Sequence, residues 1–353
     1  MGRFHSLSVK NIRQETSDTV SISFNIPDEL KQDFNFIPGQ YLTFRTNING
    51  TEVRRSYSIC STAESGELRV AVKQINYGVF STYANTLLKE GEHLDVAVPE
   101  GKFILKTDKE HKKTYGAFVA GSGITPVMAM IKDVLLNEPK SSFVLMYGNK
   151  TSDDTIFHDE LNALKKDYFG RFFLYYTYTK SNESEALFGR IDQEKVNYIL
   201  KNKHKSTTFD SFYLCGPEEM ITLVSNELLQ NHIVKNQIHY ELFTASTSKV
   251  TQAPTTSEFN GSAQMTVLVD DEETTITIKQ DETLLDAALK NGIDAPYSCQ
   301  GGVCSSCMCL VTEGEVQLLK NSILTDSEIE EGITLACQAI PKSATLKIDF
   351  DDV

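Results

Sequence analysis

The segment Cys299-Gln300-Gly301-Gly302-Val303-Cys304-Ser305-Ser306-Cys307 packs three thiols into nine residues, and a fourth, Cys337, follows thirty residues later. C-x4-C-x2-C with a distant fourth cysteine is the ligand spacing of a [2Fe–2S] cluster. One loop supplying three thiolates has to wrap closely around the metal. Gly301, Gly302, Ser305 and Ser306 let backbone N–H groups approach the sulfides. A zinc site would favour paired C-x2-C units or histidine partners, and no His follows His239. A thioredoxin-like Cys304/Cys307 pair would want a βαβ context, which the flanks do not offer. Cys309 falls on a predicted strand and reads as a packed free thiol, and Cys60 reads the same way.

Outward from this loop, a hairpin pattern (MTVLVDDEETTITI), a helical run (ETLLDAALKNG) and a closing strand (TLKIDF) outline a domain over residues 264–353. It holds 17 Asp/Glu against 5 Lys/Arg, so most of the chain's net charge of −14 sits in its last quarter. That balance argues against nucleic-acid binding. It also offers a docking face to a basic partner, or simply a solvated surface. Residues 244–263, TASTSKVTQAPTTSEFNGSA, are rich in Ser, Thr, Ala and Pro and read as a flexible linker. A linker of that kind would let the last domain swing between an internal donor and its partner.

Upstream, residues 111–243 alternate continuous apolar strands (TYGAFVAG, SFVLMYG, FFLYYTY, SFYLCG, IHYELF) with helical stretches, the signature of a parallel α/β sheet. Gly121-Ser122-Gly123-Ile124-Thr125-Pro126 runs from strand into helix. Its glycines admit a pyrophosphate to the backbone, and Pro126 suits the first helical position. It is not the G-x-G-x-x-G fingerprint, so a standard dinucleotide pocket is not expected. Residues 1–110 carry short alternating runs punctuated by Gly and Pro, as in a small antiparallel barrel. Their one helical stretch lies near 81–91, with Ser81 as its expected N-cap. Strand alternation puts Arg55 and Tyr57 on one face, and Ser56 and Ser58 on the other.

With Arg55-Ser56-Tyr57-Ser58, Gly121–Pro126, Cys215-Gly216-Pro217 and the cysteine loop in view, the chain resembles the ferredoxin-NADP reductase superfamily carrying a C-terminal plant-type ferredoxin, along essentially its whole length. Its pattern is most similar to the reductase subunits of multicomponent oxygenases of the phenylacetyl-CoA epoxidase type. The resemblance implies a multidomain fold: an antiparallel β-barrel flavin domain, an α/β parallel-sheet NAD(P)-binding domain and a β-grasp [2Fe–2S] ferredoxin domain. It implies that Arg55 pairs with the flavin phosphate, that Tyr57 packs on the isoalloxazine and that Ser58 hydrogen-bonds near N5. A guanidinium clamp and an aromatic cover suit those tasks. Gly78-Val79-Phe80-Ser81 matches a turn whose helix N-terminus receives the flavin pyrophosphate. The match favours FAD, with FMN as the alternative. Cys215 would lie beside the nicotinamide, and Glu241 and Phe243 near the flavin edge. Asn149-Lys150, Thr179-Lys180 and Gly189-Arg190 fall where relatives bind the 2′-phosphate of NADPH. No acidic residue stands at those positions, so NADPH is preferred over NADH, although Lys lacks arginine's bidentate fork.

The expectation is therefore an NAD(P)H-dependent iron–sulfur flavoprotein reductase. NADPH delivers hydride to FAD, single electrons pass to the cluster on Cys299, Cys304, Cys307 and Cys337, and an oxygenase component receives them. A Rieske oxygenase, a desaturase, a hybrid-cluster protein or a P450 are alternative acceptors, and a non-catalytic redox sensor is the alternative class. Gly2 and Ser6 fit a myristoylation pattern, but FHSLSVKNI alternates like a strand that buries this end. No apolar run nears the roughly 18 residues of a membrane span and no signal segment is seen, so the expected location is cytoplasmic.

Overall fold

The computed structural model describes residues 4–243 and 261–353. Most of the expected linker, residues 244–260, lies outside the described residues, as does Gly2. The described residues fall into two compact units, residues 4–243 and the C-terminal remainder.

The first unit begins with six antiparallel strands: β1 Phe4–Thr16, β2 Thr19–Asn25, β3 Tyr41–Ile48, β4 Thr51–Ser58, β5 Leu68–Lys73 and β6 His93–Ala97, with α1 Val79–Thr86 between the last two. Their order is β4-β3-β6-β1-β2-β5. An Ile59–Val70 bridge and the Cys60 N–H donating to Arg69 O at 2.9 Å bring the ends of the sheet together, making the expected barrel. Alternate residues Leu7, Ile22, Leu42, Phe44, Val70 and Val96 fill its interior. Cys60 is buried outside that interior, in the core shared with α2 and the parallel sheet, and burial pushes its thiol up to about 12.

One detail of α1 differs from expectation. Gly78 is the N-cap, and Ser81 lies inside the first turn. A side chain at Gly78 would meet Ser81 Oγ at 2.3 Å and Ile75 Cγ1 at 2.5 Å, so both neighbours would have to move to admit one. The Ser81 hydroxyl folds back and accepts from the Ile75 N–H at 3.3 Å.

A six-stranded parallel sheet follows: β7 Thr114–Ala120, β8 Ser142–Asn149, β9 Phe172–Tyr178, β10 Ala186–Phe188, β11 Ser211–Cys215 and β12 Ile238–Glu241. Helices α2 Ile124–Asn137, α3 His158–Asp167, α4 Gln193–Asn197 and α5 Glu218–Gln230 connect them. The order β10-β9-β8-β7-β11-β12 sends successive strands to one side of β7 and then to the other. The switch point lies between β7 and β11, and ligands of such sheets bind at the carboxyl ends there. Pro126 occupies the third position of α2 and not the expected first, because the helix opens at Ile124 directly out of a tight turn over Gly121–Gly123. The first turn has no i−4 partner for these N–H groups, so a proline is tolerated at this position too.

The segment that joins barrel to sheet is pinned to α2 by one buried carboxylate. Glu138, 0% exposed at the end of α2, accepts from Asp108 N at 3.1 Å and from the Tyr115 hydroxyl at 3.0 Å, and pairs with His111 Nδ1 at 2.8 Å. Its own carbonyl accepts from Arg171 at 2.7 Å. Asp108 and His111 belong to the segment that joins β6 to β7.

The second unit holds β13 Ser262–Val269, β14 Glu272–Lys279, α6 Leu284–Lys290, β15 Met308–Glu313, β16 Val316–Leu318, α7 Asp326–Glu330, β17 Ile333–Leu335, β18 Ala339–Pro341 and β19 Thr345–Asp349. Its main sheet runs β14-β13-β19-β15-β17, with β13 and β19 parallel and the other pairs antiparallel, and α6 buries Leu284, Leu285, Ala287 and Ala288 in its core. This is the β-grasp arrangement. The β13–β14 hairpin turns on Asp270 and Asp271, at φ +53° and +61°, and the Asp351 carboxylate accepts from both N–H groups at 2.9 Å. No helix among the described residues is long and apolar enough to cross a membrane.

Candidate functional site

On the barrel, strand register puts Arg55 opposite Phe44 and Tyr57 opposite Leu42, with Ser56 opposite Thr43 and Ser58 opposite Tyr41. The two faces alternate as the sequence implies. Arg55 is exposed and donates only to the neighbouring Arg54 carbonyl among the hydrogen bonds described. Ser56 shares a 2.8 Å hydrogen bond with Thr43 Oγ1. Tyr57 is half-buried, its ring centre 5.4 Å from Phe80, and burial raises its phenol well above the usual range against the opposing charge of Arg55. Phe80 is a core residue stacked on Phe44 at 5.7 Å, so it can serve a ligand only through its backbone. Val79 is exposed at the helix start.

At the switch point of the sheet, two segments ninety residues apart in sequence touch. A side chain at Gly123 would sit 2.2 Å from Cys215 O and 3.0 Å from Gly216 N, so the turn can pack here only as glycine. Gly216 in turn lies against Ala120 and Met220, and Pro217 caps α5. Cys215 is fully buried and pairs in register with Glu241 on β12. Burial holds its thiol well above the ordinary value, and the Glu241 charge adds to that.

Glu241 reaches back to the barrel, where Ser58 hydrogen-bonds its carboxyl. Burial pushes this carboxyl up to about 8, with the Ser58 bond opposing, and its Oε2 has no partner. Ser58, Cys215 and Glu241, drawn from β4, β11 and β12, thus meet at one seam. An orphaned carboxyl oxygen at such a point marks where a further hydrogen-bonding group belongs. Phe243, two residues on, is 38% exposed.

The cationic positions follow the carboxyl ends of three neighbouring strands. Thr179 N donates to Asn149 O at 3.1 Å and Lys180 N to Lys150 O at 2.8 Å, which holds the two loops side by side. Gly189 N donates to Tyr178 O at 2.8 Å, placing Arg190 beside them. Lys150, Lys180 and Arg190 are all exposed. An acidic residue does enter this neighbourhood: Glu183 accepts from Ser181 Oγ at 2.8 Å and from Ser152 N at 3.4 Å. These bonds, the Ser181 hydroxyl first, hold its carboxyl below the usual range. Sequence reading also passed over Phe188, 60% exposed at the end of the edge strand β10, an aromatic face near the cationic positions. A three-residue strand is too short to show a period, and exposure was its only signal.

In the second unit the four cysteines converge. Cys304 Sγ donates to Cys299 Sγ at 3.1 Å, and Cys337 lies within hydrogen-bonding reach of both Cys299 and Cys307. No disulfide joins any of the four. The Cys304 and Cys337 thiols, joined by the Gly301 and Val303 N–H groups, pull Cys299 far below the thiol range. Gln300 at φ +51° and Gly302 at φ +72° bend the loop so that Gly301 N comes 3.3 Å from Cys299 Sγ. Backbone donors aimed at sulfur are what a negatively charged cluster requires. Among the described residues no three His, Cys, Asp or Glu side chains surround a single point as ligands of one ion would. A two-iron cluster takes its thiolates in pairs, which the four sulfurs can supply. Cys309 is buried on β15, as expected of a packed thiol.

Three family models match the chain in the order of these sites: an oxidoreductase FAD-binding domain over residues 6–104, an oxidoreductase NAD-binding domain over 118–226 and a 2Fe-2S iron-sulfur cluster binding domain over 267–342. One component of 1,2-phenylacetyl-CoA epoxidase from Escherichia coli K12 is 38% identical over 353 residues, covering 99% of either chain. The chain belongs to the iron–sulfur flavoprotein reductases. The ferredoxin reductase component of 3-ketosteroid-9-alpha-monooxygenase from Rhodococcus rhodochrous is 33% identical to this reductase, across 98% of it and 96% of the relative. Phthalate dioxygenase reductase shares the reductase's fold, with a TM-score of 0.61 at 22% identity over 98% of both chains. The reductase is accordingly an oxidoreductase with FAD, NAD and [2Fe–2S] domains.

Proposed function

We propose that this reductase draws on NADPH, with NADH as the weaker donor, and delivers single electrons to the oxygenase component of a phenylacetyl-CoA epoxidase type system. Bound FAD supplies the exchange between a two-electron hydride donor and one-electron steps, and the cluster carries those electrons singly. The flavin domain spans residues 1–110, the nucleotide domain 111–243, the linker 244–261 and the ferredoxin domain 262–353, since β13 begins at Ser262 and takes the last two residues of the expected linker. The observation that carries the reading is the meeting of Ser58, Cys215 and Glu241 at the seam of barrel and parallel sheet. Arg55 clamps the flavin phosphate, Tyr57 covers the ring, and the backbone of Gly78, Val79, Phe80 and Ser81 receives the pyrophosphate. Gly121 to Pro126, with Gly216 and Pro217, hold the nicotinamide nucleotide. Cys215 and Phe243 border the reacting edge, and Ser58 and Glu241 hold hydrogen bonds there. Cys299, Cys304, Cys307 and Cys337 bind the cluster.

The acceptor assignment is supported by the full-length match to the epoxidase component. The acidic ferredoxin domain, with Asp326, Glu328, Glu330 and Glu331 on and beside α7, suits a basic docking face on the acceptor. The absence of a membrane-spanning helix among the described residues accords with a cytoplasmic protein.

Anaerobic visible spectra during stepwise nucleotide addition test the reading. NADPH is expected to bleach both flavin and cluster bands, and NADH to do so at higher concentration. A protein whose bands respond to neither nucleotide would not be a reductase. The nucleotide preference has its own check. The double substitution Lys150→Ala and Lys180→Ala removes two charge-assisted contacts, and should raise KM for NADPH about tenfold or more at low salt. KM for NADH should stay within about twofold, since the diol carries no charge for these lysines to meet.

A further inference from the structure

The turn that opens α2 is packed against Cys215 at Gly123 but has no steric lock at its first residue. Gly121 sits at φ +56°, and nothing lies within 4 Å of where its side chain would begin. A glycine in such open space can rotate its peptide plane at little cost. A rotated plane would offer a carbonyl to an incoming phosphate where an N–H is needed.

The lock comes from the next strand. Tyr147 on β8 is 0% exposed and pairs in register with Val119, just before the turn. Its hydroxyl donates to Gly121 O at 2.9 Å. Thr125 Oγ1 donates to Ser122 O at 3.1 Å, and Ile124 N donates to both carbonyls. Gly121 O and Ser122 O are thereby engaged by the fold; with the Ile124 N–H spent on them and none on Pro126, Thr125 N–H is the amide of the first helical turn left to meet a ligand. Tyr147 is itself held: burial raises its phenol far above the usual range, and the Ile156 N–H faces its oxygen. It stays a donor at any working pH.

We propose that Tyr147 is a positioning residue for the nicotinamide nucleotide, holding the Gly121 carbonyl so that the turn amides face the pyrophosphate. The proposal rests on reading Gly121–Pro126 as the pyrophosphate turn.

Tyr176 provides a matched control. It is buried too, its ring centre lies 6.3 Å from that of Tyr147, and its hydroxyl has no partner. Tyr147→Phe and Tyr176→Phe remove the same atom from neighbouring buried rings. The oxidised holoprotein is titrated with NADP+ and with NAD+, and KM and kcat are measured in dye reduction. Tyr147→Phe should weaken the better-bound nucleotide about tenfold and raise its KM in step, with kcat at saturation within about twofold. Tyr176→Phe should leave both within about twofold of the parent. Thr125→Val, which removes one of the two donors to the second carbonyl, should shift binding in the same direction as Tyr147→Phe. Unchanged binding in Tyr147→Phe overturns the proposal, as does an equal loss in the two tyrosine variants. A parent protein that binds neither nucleotide overturns the reading of the turn itself.

Discussion

Replacing Cys304 with serine should stop electron delivery from the reductase to its protein acceptor while NADPH still bleaches the flavin. Cys304 supplies one of four sulfurs at the loop, 3.1 Å from Cys299. Hydroxyl oxygen is a harder ligand than thiolate and is protonated at neutral pH, so iron bound there is poorly held. Loss of partners behind a metal ligand already costs about 10- to 100-fold in affinity, and loss of the ligand itself should exceed that, so acceptor reduction should fall at least a hundredfold. The flavin and nucleotide sites lie in the other compact unit, and hydride uptake should stay within about twofold. Cys309→Ser is the control: its thiol is buried on β15, so the change should lower the melting temperature and leave the cluster spectrum intact. Cluster retained in Cys304→Ser but lost in Cys309→Ser would mean that the ligand set is wrong.

Glu241→Gln should keep flavin reduction within about tenfold of the parent at neutral pH and hold that rate above pH 8, where the parent slows, because the amide stays uncharged where the carboxyl ionises. The buried carboxyl, with its pKa near 8, is mostly protonated at pH 7 and leaves the seam without a negative charge as hydride arrives. The parent rate should therefore bend near pH 8, and the glutamine variant should not. Stability gives an independent reading. A carboxyl raised from about 4.5 unfolded to about 8 folded adds stability that is complete below pH 4.5 and is lost as pH rises through 8. Above pH 8 the ionised group costs on the order of a few kcal/mol. The parent's melting temperature should fall between pH 5 and pH 9 more steeply than that of Glu241→Gln. Parallel pH profiles of rate and melting temperature in the two proteins would contradict this account.

The three-part architecture was readable because each part carries a different period: alternating runs in the barrel, continuous apolar strands parted by helices in the sheet, and a spaced cysteine loop in the β-grasp unit. Arg55 to Ser58 was legible as two faces because strand alternation follows from backbone geometry alone. Local boundaries were harder. Ser81 looked like a helix cap because serine favours that position, but the backbone turns at Gly78, where a close approach to Ile75 decides the outcome. Pro126 landed two residues further into its helix because a tight glycine turn precedes it. Glu183 and Phe188 could not be placed from sequence, since the β9–β10 loop brings them to the cationic edge through hydrogen bonds no local pattern reveals. Tyr147 reads as one more apolar strand residue, and its bond to Gly121 exists only after β7 and β8 pair.

The Glu138 knot bears on how such a reductase can be taken apart. A nucleotide domain excised to begin at His111 would lose Asp108 N, leaving a fully buried carboxylate with one donor fewer than it was folded around. The same cut would strip the barrel half of Glu241, the seam's counterpart to Ser58. Residues 4–243 are thus one exchangeable cassette, and chimaeras that trade electron acceptors should keep it whole and make the junction beyond Phe243.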